Sequence, residues 1–314
     1  MAPRFIAVTF YTEGSPWDAG ESLVDEERLF RVAVEPYVDE VWSFCPRSMA
    51  GRWRGAEGYF RDYSEWLERH PLRQELRRYN RQWARLGFMA GKPFLLKSLL
   101  HDNSILPGDV LLYRDVNVRK YPAYYRTPAE WRNVSFRILE TLGCDVFVPA
   151  GFRLETDAKA FLVRRYLNES MGINRGVWAG LILCRKSQQS IAFVDEWMTM
   201  CDDLDNLSPL PNPNPYAGAV WHAPEQAVLG VLAWKWKREG QLPTVWPLYA
   251  EGDRSFDAQI FTRPSRPPNA CLRWLYSFYL SLPTALQMLV LSILKWLAML
   301  KKWLAMLKNR FRAP

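Results

Sequence analysis

The 314-residue sequence predicts an α/β fold, a mostly parallel, Rossmann-like central sheet flanked by helices. Three observations predict it. Short apolar runs of strand length recur between longer segments with helical spacing, which is the alternation that builds parallel sheets. No repeat of solenoid period interrupts that alternation before the last fifty residues. The composition, 49% apolar and 24% charged, is that of a chain able to bury a core, which excludes disordered and fibrous classes. The length predicts one or two domains. Five cysteines at irregular positions, with no CxxC pair, read as reduced thiols rather than a disulfide framework.

The elements follow in order. RFIAVTFY (4–11) is the opening β-rich run, and TEGSP after it is a loop. Residues 21–37 read as helix and EVWSFCP (40–46) as the second strand. Residues 57–86 are mostly helical, with arginines interleaved by Glu65, Glu68 and Glu75, the pattern of a solvated face rather than a polyanion site. Residues 92–101 form a helix with Pro93 in its first turn, where a missing N–H is tolerated. In PGDVLLYRDVNV (107–118) a turn launches an apolar strand that ends in two polar residues one apart, Asp115 and Asn117. DVFVPA (145–150) and LILCRK (181–186) are further strands, 190–204 and 223–238 further helices. SPLPNPNPY (208–216) is a Pro/Asn loop and TRPSRPP (262–268) a linker. The expected domains are therefore 1–261, catalytic in character, and 262–314, a linker and tail.

The net charge of +8 is not a nucleic-acid signal, because it is confined to the tail. After Asp257 come nine cations and no acid, while the remaining 32 cations face all 33 acids. From Trp274 to Leu294 run 21 residues without a formal charge, interrupted by Pro283. KWLAML then stands at 295–300 and again at 302–307. At 100° per residue this gathers Trp296, Leu300, Trp303, Leu304 and Leu307 on one face and Lys295, Lys301, Lys302 and Lys308 on the other. Tryptophan at the boundary and unbalanced lysine beside it is the chemistry of a helix on an anionic membrane surface. The tail is expected to associate with membrane, by spanning it or lying in it. The opening residues lack the apolar run and cleavage site of a secretory signal, so the first domain is expected on the cytoplasmic side.

In open α/β sheets, ligands bind beyond the carboxyl ends of the strands. A strand delivering Asp115 and Asn117 to that edge offers two oxygens suited to Mg²⁺ or Mn²⁺; equally, Asp and Asn are common capping residues of a turn. Four segments together resemble one family in order and spacing: GFMAGKPFLLKSLL (87–100), GDVLLYRDVNV (108–118), WAGLILCRKSQQSIAFVDEWM (178–198) and HAPEQAVLGVLAWK (222–235). The chain over about residues 4–240 resembles the nucleotide-sugar-dependent glycosyltransferases of the A-type fold, in particular bacterial capsule and lipopolysaccharide enzymes. It departs from their pattern at three places. Gly91 stands where the family has Trp, Asn117 where it has Asp or Gly, and Glu225 where it has Asp.

The resemblance implies transfer of a sugar from a nucleotide-sugar donor to a glycan or lipid-linked acceptor. Thr9, Tyr11 and Thr12 would hold base and ribose, and Lys92 would reach a phosphate or remain a solvated lysine. Asp115 and Asn117 would hold a divalent metal, Mn²⁺ or Mg²⁺, bridging the two phosphates. His222 would be a third ligand, a phosphate contact or a helix cap. Glu225 would take the acceptor's proton or simply favour its helix dipole. Trp178 and Trp221 would stack on a sugar or serve as core aromatics. An amide coordinates more weakly than a carboxylate, so Asn117 also opens the reading of a catalytically inactive, membrane-bound binding or scaffold protein. A nucleotidyltransferase is the third reading, and TEGSP lacks the Gly-rich, Lys-containing loop it needs.

Overall fold

The structure is a computed structural model that describes residues 2–11, 13, 22–45, 56–69, 90–116, 118, 128–149, 158, 160–168, 176–207 and 224–242. The chain divides into two units, Met1–Arg263 and Pro264–Pro314, and every described residue belongs to the first. The tail expected to associate with membrane, the 208–216 loop and the 262–268 linker lie outside the described residues.

Five strands make one sheet in the order β2-β1-β3-β5-β4. They are β1 (Phe5–Phe10), β2 (Glu40–Phe44), β3 (Val110–Arg114), β4 (Val146–Phe147) and β5 (Leu181–Arg185). β1 pairs in parallel with β2 and with β3, Ala7 lying opposite both Val41 and Leu112. β5 is antiparallel to β3 and to β4. The sheet is therefore mixed, which corrects the largely parallel expectation at one strand. An apolar strand buried on both faces carries no sign of its direction in the sequence. β4 is two residues long where six were expected.

Helices cover both faces, and the side-chain alternation of the strands divides the core. On one face Ile6, Val8, Leu111, Tyr113 and Ile182 meet the helices α2 (Ala56–Arg69), α3 (Gly91–His101), α5 (Ala160–Leu167), α6 (Gln188–Asp202) and α7 (Pro224–Arg238). On the other, Phe5, Ala7, Val110, Leu112 and Leu183 meet α1 (Val24–Val34) and α4 (Pro128–Leu142). α1 gives way to a 3₁₀ turn at Glu35–Tyr37, because Pro36 cannot donate into an α-helical ladder. α6 starts at a capping box, with Ser187 and Ser190 each accepting from the other's backbone N–H. Two helices were not anticipated, α4 and α5. The signal for α4 was present, since Trp131, Val134 and Ile138 are buried at helical spacing. Cys45, Cys144, Cys184 and Cys201 are buried thiols outside any disulfide. Among the described residues no helix is long and apolar enough to cross a membrane.

Candidate functional site

The strand order makes the crevice between β1 and β3 a topological switch point: the chain leaves β1 for β2 on one side, and leaves β3 for β5 and β4 on the other. Such crevices are where open sheets bind ligands. Asp115 stands there, one residue past the end of β3, its backbone N–H donating to the Gly180 carbonyl at 2.9 Å. Lys92, in the first turn of α3, and Glu225, in the first turn of α7, meet it. Lys92 Nζ is 3.1 Å from Asp115 Oδ1 and 3.2 Å from Glu225 Oε1, and it donates to the Ala179 carbonyl at 3.4 Å. Three ammonium protons thus face three acceptors. Lys92 and Glu225 are buried, while the Asp115 side chain keeps 24% exposure. The cluster opens to solvent through Asp115.

Its surroundings hold it in place. Tyr113 lies under the ammonium, its ring centroid 5.8 Å away, and donates its hydroxyl to the same Asp115 Oδ1 at 3.1 Å. Trp197 Nε1–H donates to the Glu225 carbonyl at 3.1 Å. Gln226 Oε1 accepts from the Ala179 N–H at 3.1 Å, tying α7 to the segment before β5. A Cβ at Gly91 would make ordinary van der Waals contact, 3.4 Å from the Tyr63 hydroxyl and 3.6 Å from the Phe10 ring.

The electrostatics follow from burial and from the shared ammonium. Burial draws the Lys92 pKa down, but the Asp115 and Glu225 carboxylates outweigh it and hold the group above the ordinary lysine value. Burial pushes the Glu225 carboxyl up, against the pull of Lys92 and with some help from the Asp115 charge. Burial, and then Asp115, raise the Tyr113 phenol well above its ordinary value. A protonated Lys92 and a neutral Tyr113 are thus the resting forms.

Of the residues singled out in the sequence, Lys92, Asp115 and Glu225 are brought together. Thr12, Asn117, Trp221 and His222 lie outside the described residues. Thr9 is wholly buried and donates its hydroxyl to the Arg114 carbonyl at 2.7 Å. Tyr11 is nearly buried, its backbone N–H donating to the Phe44 carbonyl at 2.9 Å. Both stabilise the end of β1. Trp178 lies over the fully buried Arg114, with its ring centroid 5.2 Å from the guanidinium and Trp131 at 5.6 Å. Tyr113, Gln226 and Trp197 are the site residues that sequence reasoning did not assign. Gln226 and Trp197 sat inside two of the matching segments, which was the available signal.

Of the three expected metal ligands only Asp115 is described, and the cation its carboxylate meets is the Lys92 ammonium. The oxygen Oδ1 already carries Lys92 and Tyr113 as donors, and the Glu225 carboxylate shares the same ammonium. Among the described residues no group of three or more His, Cys, Asp or Glu side chains is placed to hold a metal. A groove of about 400 Å³ between α2, α3 and α6 lies at the far end of α3 from Lys92. Within it Asp195 meets Lys97 at 3.3 Å and His101 at 2.9 Å, and Asp62 pairs with Arg61 outside it.

Comparison with known protein families, with characterised proteins and with solved structures gives no match.

Proposed function

We propose that the chain is a glycosyltransferase that takes a sugar from a nucleotide-sugar donor and passes it to a glycan or lipid-linked acceptor. One observation carries the reading. Three of the four segments that resemble such enzymes, separated by 23 and 110 residues in sequence, supply Lys92, Asp115 and Glu225 to one buried cluster at the sheet's switch point. The fourth segment supports them through the Trp197 indole. In the reaction the bond between the anomeric carbon and the diphosphate oxygen breaks, and the diphosphate leaves with the electron pair. The acceptor oxygen bonds to that carbon, and its proton passes to a base. Glu225, its pKa raised by burial, is suited to that proton. Lys92 is the positive charge closest to hand for a phosphate, oriented by Asp115.

The test is a panel of UDP- and GDP-sugars, assayed with full-length protein for release of nucleoside diphosphate. Turnover of one donor is expected, and no turnover and no binding across the panel removes the reading. A second reading, an inactive membrane-bound binding or scaffold protein, is favoured by the closure of Lys92 onto both carboxylates. Nucleotide binding without turnover distinguishes it. We further propose that the cationic tail draws the protein to a membrane, with the first unit on the cytoplasmic side. Full-length protein should sediment with membranes; extraction by salt indicates an in-plane helix, resistance to salt and alkaline carbonate deep insertion, and a wholly soluble protein rejects the association.

A further inference from the structure

The resemblance places a divalent ion at the strand-end aspartate, and the site's own charges disagree with it. Lys92 is not a surface lysine that happens to approach. It leaves the first turn of α3 inside the core, held beneath by Tyr113 and on one side by the Ala179 carbonyl. Its remaining two donors point at Asp115 and Glu225 at almost equal distances, 3.1 and 3.2 Å. Two carboxylates brought this close in a buried setting repel unless a cation sits between them. Lys92 is that cation. A doubly charged ion on Asp115 would face a buried ammonium across a poorly screening medium, and the two would compete for Oδ1.

We propose that the Lys92 ammonium is this site's built-in cation, seated between Asp115 and Glu225 in place of a divalent metal, and that the site binds its ligand without metal. The nature of that ligand, a nucleoside diphosphate, rests on the glycosyltransferase reading; the identity of the cation does not. Lys92 differs from a metal in two ways. It cannot be removed by a chelator, and it brings three directional donors and a single charge where a metal brings open coordination positions. Truncating it should uncover a cation site, because Asp115 and Glu225 would remain side by side without the ammonium between them.

The experiment uses Mn²⁺ alone, added to full-length protein and followed through the electron paramagnetic resonance signal of the free ion. Wild type should leave that signal at its buffer value. Lys92→Met should bind about one Mn²⁺ per chain, and Glu225→Gln in the same background should abolish the binding. Stoichiometric uptake by wild type that Asp115→Asn removes would overturn the proposal, and so would a folded Lys92→Met that takes up none. Because Lys92→Met leaves two buried carboxylates facing each other and can fail to fold, wild type is also titrated calorimetrically with UDP and GDP, in EDTA and in Mn²⁺. Equal affinity in the two buffers is expected, and a tenfold or greater tightening by Mn²⁺ contradicts it. If neither nucleotide binds in either buffer, the glycosyltransferase reading fails, while the Mn²⁺ arm still decides the cation.

Discussion

The same sheet carries two clusters of one cation and two carboxylates, at opposite edges. At the amino edge Arg4 lies between Asp109 and Glu40, with its Nη2 2.6 Å from Asp109 and its Nη1 2.8 Å from Glu40. At the carboxyl edge Lys92 lies between Asp115 and Glu225. Asp109 also accepts from the backbone N–H groups of Arg4 at 2.8 Å and of Leu106 at 2.9 Å. These residues stand immediately before β1, before β3 and at the start of β2, so the cluster joins the three strand beginnings and fixes their register. The guanidinium fork suits that task, because it reaches two carboxylates and the Ser104 carbonyl at once. Lys92 joins a strand end to two helix starts from distant parts of the chain. It is the more buried cation, yet its contacts are the longer. A cation between two carboxylates therefore ties strand beginnings together at one edge, and at the other leaves a compact charged group at the place where sheets bind ligands. Position in the topology and the choice of arginine or lysine separate the two.

Breaking each cluster should separate stability from activity. The largest effect is expected from Asp115→Asn. It frees Lys92 from one of its two carboxylates, and nucleotide-sugar turnover should fall by about 10²-fold or more, while thermal melting stays close to wild type because Asp115 is partly exposed. A turnover within a factor of two of wild type would show that the carboxyl-edge cluster is structural too. Asp109→Ala should do the reverse. Losing a buried partner of Arg4 and two backbone acceptor contacts should cost about 3 kcal/mol of unfolding free energy, measured by urea denaturation, with turnover per folded molecule preserved. A smaller effect sharpens the link between Asp115 and its neighbours. A Cβ at Gly180 would lie 2.4 Å from the Trp178 ring, so Gly180→Ala should lift the indole off Arg114 at about 1–3 kcal/mol. It should also shift tryptophan fluorescence and weaken turnover through the Gly180–Asp115 backbone bond. Unchanged fluorescence and stability would contradict that packing.

The smallest expected effect is pH dependence on the alkaline side. Burial pushes the Cys184 thiol from 9.0 up to about 12 and raises Cys201, Tyr63 and Tyr113 as well. Lys92 is raised by its carboxylates in spite of burial. All of these groups keep protons in the folded chain that the unfolded chain releases, so stability falls as pH rises. The fall should begin near pH 9, the ordinary thiol value, and steepen above 10 as phenols and Lys92 join. A melting temperature that is level from pH 8 to 11 would mean these groups are less enclosed than they are here.

Much of the framework was legible because strands buried on both faces must be continuous apolar runs. FIAVTF, VLLY and LILC announced themselves in that way. The same burial hid other information. The resemblance implied that Thr9 and Tyr11 hold base and ribose, but β1 has no solvent face and both residues are buried. The reversal of β5 left no trace, because direction is set by how helices cross the sheet. Lys92, Asp115 and Glu225 were each legible as polar residues at element ends. Their meeting was not, since 110 residues separate Asp115 from Glu225 and sequence spacing carries no distance over that range.

The central claim is that the carboxyl-edge cluster binds a nucleoside diphosphate. Calorimetric titration of UDP and of GDP into full-length wild type and into Asp115→Asn tests it most directly, with melting curves confirming that both are folded. The account predicts saturable binding of one nucleotide by wild type and at least a tenfold loss in Asp115→Asn. Equal binding by the two proteins, or binding of neither nucleotide by a folded wild type, would contradict it.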